Sequence, residues 1–186
     1  LGGFHEIPFE QVSSDTTSQG MHVEVASPGN LASIHWVENA QQPQYSVSFC
    51  GLNFKDAMLA YGRLQSPGAV HLGLEFSGRR LGDGVAVMGI SAGCMANKVA
   101  TKAHLVWELP VASKLTLEGA ATIPVVYSTV YQALVCKAAI HRGQTVLIHS
   151  IAGGVGQAAY HVCKHRGATA IVTCSESKAK WVHENL

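Results

Sequence analysis

The sequence predicts an α/β protein with a β-rich part: a small, bent β-barrel followed by the first βαβ unit of a parallel sheet. Three observations lead there. A glycine-rich turn at residues 152–156 sits between an apolar, β-branched run and a helical repeat. Residues 72–107 hold short strand-like runs punctuated by glycine. The composition, 47% hydrophobic and 13% charged over 186 residues, supplies enough apolar material for a buried core.

The elements follow in order. Residues 13–20, rich in Ser, Thr and Gln, read as a loop. Leu72-Gly-Leu-Glu-Phe-Ser-Gly78 reads as a strand ending in glycine, Arg79-Arg-Leu-Gly-Asp-Gly84 as a turn, and Val85-Ala-Val-Met88 as the returning strand. Residues 96–101 and 105–107 are further short strands. Thr116 caps a short helix carrying Leu117, Ala120 and Ala121, which Ile123-Pro124 ends. Residues 125–135 form a helix leading into the strand Thr145-Val-Leu-Ile148. After Gly154 the apolar positions Val155, Ala158, Ala159 and Val162 make one buried helical stripe, and Arg166-Gly167 supplies a cation and a glycine stop. A second strand covers residues 170–173. No repeat or low-complexity stretch is present.

The turn carries the chemistry. Bare backbone at Gly153, Gly154, Val155 and Gly156, opening a helix, lets amides and the helix dipole face a pyrophosphate. Gly156 also lies where helix and strand backbones pack closely. A structural βαβ crossover without ligand is the alternative, but it has no need of so bare a turn. The end of the second strand then selects the cofactor. Thr173-Cys174-Ser175 offers no carboxylate for ribose hydroxyls, whereas Ser175 and Lys178 suit a 2′-phosphate. The expected cofactor is therefore NADPH. Glu176 complicates this unless it points away, and Lys178 has the alternative of being an ordinary solvated lysine.

Charge and composition narrow the remaining classes. A net charge of +1 with low charge content gives no electrostatic reason to expect nucleic acid. No apolar run approaches a membrane span, and no signal peptide is visible. The five cysteines, Cys50, Cys94, Cys136, Cys163 and Cys174, are scattered and without a CxxC, which reads as reduced thiols in a cytoplasmic protein. Ten histidines do not produce a metal spacing. His161 and His165 share the exposed side of a helix with Cys163 on the opposite face. His71 and His104 read as ordinary surface or loop residues.

The order of parts resembles the medium-chain dehydrogenase/reductase superfamily. Within it, Gly51-Leu-Asn-Phe-Lys-Asp56, Met58-Leu-Ala-Tyr-Gly62, Leu72–Gly78, Pro124-Val-Val-Tyr-Ser-Thr129, Val146-Leu-Ile-His-Ser150 and Ser175-Glu-Ser-Lys178 resemble the enoyl reductase domain of animal-type fatty acid synthase. Polyketide synthase reductases share several of these motifs. The resemblance implies a GroES-like substrate domain over residues 1–124 and a truncated Rossmann domain over residues 125–186. Positions matching the zinc ligands of alcohol dehydrogenases are Asn53, Leu74 and Val125, which implies a zinc-free enzyme with no metal.

The implied reaction is hydride transfer from NADPH to the β-carbon of a 2-enoyl thioester on acyl carrier protein, then protonation of the α-carbon. Asn53 is the candidate catalytic contact, with a turn residue as its alternative. Ser128 and Thr129 are candidate contacts to cofactor or substrate, with helix capping or back-bonding as theirs. Tyr61 is disfavoured as proton donor, and Asp56 is expected to cap a helix. A homodimer is implied for the full synthase. A dinucleotide domain carries about six parallel strands, so a stretch with two is expected to be a piece of a longer polypeptide and inactive alone. The competing readings are a free-standing quinone oxidoreductase-like enzyme and a non-catalytic nucleotide-binding remnant.

Overall fold

The computed structural model describes residues 20–66, 68–112 and 114–186. Most of the loop expected at residues 13–20 lies outside them. Three sheets organise the described residues. β1 (Met21–Val25), β2 (Ile34–Glu38) and β4 (Val70–His71) form an antiparallel sheet in the order β2-β1-β4. β3 (Tyr45–Gly51), β5 (Glu75–Arg80), β6 (Ala86–Ile90), β7 (Lys98–Val99) and β8 (Val106–Glu108) form a five-stranded antiparallel sheet in the order β7-β3-β5-β6-β8. α1 (Phe54–Ala60) connects the two sheets. β9 (Thr145–Ile148) and β10 (Thr169–Val172) pair in parallel.

The central strand β5 differs from its expected course. It begins at Glu75 and runs through Gly78 instead of ending there. Gly78 serves a close approach, because a Cβ there would stand 1.8 Å from the carbonyl oxygen of Ser46 on β3. The β3–β5 register shifts by one residue at this point, between Val47 and Phe49. The turn after β5 forms as expected, with Gly82 and Gly84 at positive φ. Phe76, Val87 and Val99 of the five-stranded sheet are buried together with Cys94 from the segment between β6 and β7, while Val23, Val25, Leu59, Val70 and Leu72 pack under β1 and α1.

The connection to the parallel pair is helical. α2 (Leu117–Ala120) is capped by Thr116, whose hydroxyl accepts the Gly119 N–H at 3.1 Å. Pro124 does not end that segment but opens α3 (Pro124–Val130), where its missing N–H costs nothing. The helix then widens into a π-helical turn over Tyr131–Lys137, with the Ala138 N–H donating to Ala133 O. Together these pieces make a helical stretch, Leu117–Lys137, of 21 residues with mean hydropathy 1.3. By length and composition that reaches a membrane span, contrary to expectation; α3 nevertheless packs on α4, β5 and β6.

α4 (Gly154–Arg166) ends at Gly167 in the left-handed conformation, as the glycine stop predicts. Of the expected stripe, Ala158 and Ala159 are buried and Val162 packs against the same core, whereas Val155 is half exposed and Gly156 and Cys163 complete the buried face. His161 and His165 lie on the exposed side, opposite buried Cys163. Val130, Ile140, Ile148, Ile151, Ala158, Ala159 and Cys163 form a third core, distinct from the two under the β-sheets. α5 (Glu176–Asn185) follows β10.

Candidate nucleotide and substrate site

The turn from β9 into α4 is built from the strand upward. Ser150 takes a positive φ of 56°, which turns the chain sharply after His149. Gly153 N–H donates to Ser150 O, and the Ile151 N–H reaches across to Thr173 O at the end of β10. The Thr173 N–H donates to Ile148 O, and His149 Nδ1 and Thr173 Oγ1 stand 3.0 Å apart, so Thr173 ties the ends of β9 and β10 three times. Gly156 is the keystone: a Cβ there would lie 2.6 Å from Ser150 O and 2.7 Å from Ile151 Cα. It is buried, and its work is to let the helix close on the turn. Gly153, Gly154 and Val155 are exposed at the opening of α4, where first-turn amides have no intrahelical acceptor. This exposed glycine backbone at the start of a 13-residue helix fits a pyrophosphate.

Ser175 and Lys178 come together at the start of α5. Ser175 is its N-cap residue, its Oγ lies 3.1 Å from Ser177 Oγ, and its carbonyl accepts the Lys178 N–H. Both side chains are exposed. They follow the strand beside the glycine turn, where a ribose phosphate of a dinucleotide on that turn would extend.

Ser128 and Thr129, adjacent in sequence, separate in space. Thr129 lines a groove of about 230 Å³ with Leu134, Leu147, His149 and Val155. Its hydroxyl donates to Val125 O at 2.7 Å, the back-bonding alternative of the sequence reading. Ser128 lines a different groove, about 550 Å³, with Met88, Trp107, Ile123, Tyr127 and Tyr131. That groove is mostly apolar and joins the β-rich part to the helical connection, a setting suited to an acyl chain.

Asn53 is the N-cap of α1, in a capping box with Asp56. Its Oδ1 accepts the Lys55 N–H at 2.9 Å. Asp56 supports the cap instead of being it: its carboxylate accepts from the Asn53 N–H and from the Gly73 N–H, each at 2.9 Å, and is buried. Asn53 lines neither groove that holds Ser128 or Thr129.

Glu75 was missed by sequence reasoning. It is 4% exposed and accepts the Val125 N–H at 2.8 Å, fastening β5 to the start of α3. Burial pushes its carboxyl above the usual range; the Val125 bond opposes this and the neighbouring Asp56 charge adds to it. Asn53, Leu74 and Val125, matched to zinc ligands by resemblance alone, are thus a helix cap, a half-buried apolar side chain and an amide bound by Glu75. The only signal for this in the sequence is the Asn-x-x-Asp spacing. The supposedly scattered cysteines also include a close pair, with Cys50 Sγ and Cys94 Sγ 3.8 Å apart.

No protein-family profile matches the chain. It is 35% identical over 205 aligned positions to a highly reducing polyketide synthase of Glarea lozoyensis, covering 100% of this chain and 8% of that protein. The crystal structure of CurK enoyl reductase superposes with a TM-score of 0.78 at 25% identity, over 89% of this chain and 57% of that one. A mycobacterial protein solved in complex with NADPH superposes with a TM-score of 0.74 over 89% of this chain and 55% of its own; at 24% identity it speaks for the fold alone. The chain therefore spans a small part of the curated relative and somewhat over half of the solved reductase.

Proposed function

We propose, for a chain that carries the enoyl reductase-like medium-chain dehydrogenase/reductase fold of polyketide synthases and quinone oxidoreductases, an NADPH-dependent reduction of 2-enoyl thioesters within a multidomain synthase. The observation that carries the reading is the exposed glycine turn opening α4, next to Ser175 and Lys178. When bound, NADPH supplies the hydride for the β-carbon. The chain's own part is to hold it: the first-turn amides of Gly154 and Val155, beside the bare backbone of Gly153, would meet the pyrophosphate, and Ser175 and Lys178 would take the 2′-phosphate. The apolar groove beside Ser128 holds the acyl chain and keeps water from the reacting carbons. Asn53, whose Oδ1 is committed to the cap and which lines neither groove, would have only its amide N–H₂ free as a polar contact beside the bound cofactor.

The finer reading is a fatty acid synthase of animal type, with acyl carrier protein delivering the thioester, a homodimeric full-length enzyme and a cytoplasmic setting. It rests on the motifs of residues 51–62, 72–78 and 124–129. The polyketide synthase relative supports the same chemistry on a different product class.

The test is a titration of the full polypeptide with NADPH and with NADH, followed by turnover of a crotonyl thioester. The expected outcome is NADPH binding at least about tenfold tighter than NADH, a difference of about 1.4 kcal/mol, with Lys178→Ala removing most of it. Equal affinity for the two cofactors would sink the assignment of Ser175 and Lys178. Binding of NADPH without any enoyl reduction would sink the reaction and leave the nucleotide site.

A further inference from the structure

His71 is far in sequence from His22 and Glu24, yet the three meet on one sheet face. His22 and Glu24 are two residues apart on β1, so their side chains leave the same side. Glu24 pairs directly with His71 of β4 in the antiparallel register, which puts the third side chain on that side as well. Glu24 Oε2 lies 3.9 Å from His22 Nε2 and 3.7 Å from His71 Nδ1. One ligand atom from each residue falls within 4.8 Å of the others.

Two further observations indicate that this cluster lacks a component. Both ring nitrogens of His22 are buried and have no hydrogen-bond partner, a costly state for a polar group. The two imidazoles also stand edge to face with centroids 4.7 Å apart, an arrangement two protonated rings would oppose. A cavity of about 190 Å³ opens beside them, lined also by Asn39, Gln41, Ser91 and Gly93.

We propose that His22, Glu24 and His71 form a three-ligand site for a divalent transition-metal ion, with Zn²⁺ as the fitting ion. Two imidazoles and a carboxylate are a common zinc donor set, and a three-ligand site leaves a fourth position for water. Zinc bonds of about 2.0–2.1 Å place tetrahedral ligand atoms roughly 3.3 Å apart, so small side-chain shifts close the site. The cavity supplies room for the fourth ligand. The ion clips β1 to β4 at the two-residue end strand of its sheet. It has no part in the nucleotide reading, since none of its ligands lies on the turn or in the grooves of that site.

The test is a calorimetric titration of the chelator-stripped protein with Zn²⁺, paired with Co²⁺ absorption and with thermal melting. The expected result is one Zn²⁺ per chain, a visible Co²⁺ spectrum of low symmetry, and a Tm that rises with Zn²⁺. His71 is exposed and Glu24→Gln is nearly isosteric, so His71→Ala and Glu24→Gln are expected to fold. Each should weaken Zn²⁺ binding by more than about tenfold, since even outer-shell partners of a metal site cost that much. The close thiols are the competing ligands, so Cys50→Ser serves as control and should bind as the parent does. Absence of one-to-one binding, unchanged affinity in His71→Ala and Glu24→Gln, or a sulfur-to-cobalt charge-transfer band lost in Cys50→Ser would each overturn the proposal.

Discussion

The five-stranded antiparallel sheet and the two-stranded parallel sheet solve burial in opposite ways. In the first, the central strand β5 is buried along four successive residues, and Phe76, Ser77 and Val87 have no exposed surface. In the second, Ile148 is buried toward α4, while Leu147 and Ile171 are 57% and 55% exposed on the other side. Parallel sheets are ordinarily covered on both faces. Among the described residues, then, the β-rich part is closed by its own contacts and the nucleotide part is covered on one face. The difference teaches where stability and where binding reside: substitutions in the first should register as unfolding, and many in the second as altered ligand affinity.

The largest expected effects come from two glycines that admit no Cβ. Gly78→Ala forces β3 and β5 apart, because the new methyl meets Ser46 O and the backbone cannot yield locally. The cost is about 3 kcal/mol or more, read as a drop in the urea midpoint with NADPH affinity per folded molecule unchanged. Gly156→Ala pushes on Ser150 and Ile151 at distances of 2.6–2.8 Å. Its cost is about 2 kcal/mol, and it should also weaken NADPH because the turn itself moves. If Gly156→Ala lost only stability, the turn would not be the nucleotide cradle.

Asp56→Ala tests the junction of the β-rich part. It strips the half-buried amide of Asn53 and the buried amide of Gly73 of their acceptor and ends the capping box. The expected loss is about 2 kcal/mol by chemical denaturation, whereas Asp56→Asn, which keeps an acceptor oxygen, should lose less. Equal losses for Ala and Asn would mean that the charge, not the hydrogen bonding, holds the junction.

Glu75→Gln probes the same junction through pH. Because the native carboxyl titrates above its ordinary value of 4.5, the folded state holds a proton that the unfolded chain has released. Unfolding free energy therefore falls as pH rises through the window that opens at the ordinary value and closes at the raised one. Urea melts across that window should show the parent losing stability relative to Glu75→Gln, whose amide oxygen still accepts the Val125 N–H. A parent that instead gained stability over the variant would mean that the Val125 bond outweighs the desolvation.

What the sequence made legible was whatever local pattern determines. The β9–turn–α4–β10 unit, the Thr116 cap and the Gly167 stop were all readable, because each depends on neighbours within a few residues. Gly78 was misread as a strand end since a glycine that admits a neighbouring backbone looks, in one dimension, like a glycine that turns the chain. Val155 was misplaced because periodicity gives a face without saying which flank of it meets the core. Glu75 binding Val125, Cys50 beside Cys94, and His71 beside His22 and Glu24 join residues 44 to 50 positions apart. Their pairing depends on sheet register, and spacing along the chain carries no trace of that.

The smallest expected effect lies on the bare face of the parallel pair. Leu147→Thr replaces a large, 57% exposed apolar side chain with a β-branched one suited to a strand. In a monomer whose face meets only water, stability should change by no more than about 0.5 kcal/mol. Val87→Ala, in the covered sheet, removes a side chain with no exposed surface and should cost about 2 kcal/mol. Measured side by side by urea denaturation, the two give the contrast between the sheets a number. A loss at Leu147 comparable to that at Val87, and growing with protein concentration, would show the face covered by a second copy. The same loss independent of concentration would place further residues of the polypeptide on it. Either result would move Leu147 from surface to core and erase the distinction between the two sheets.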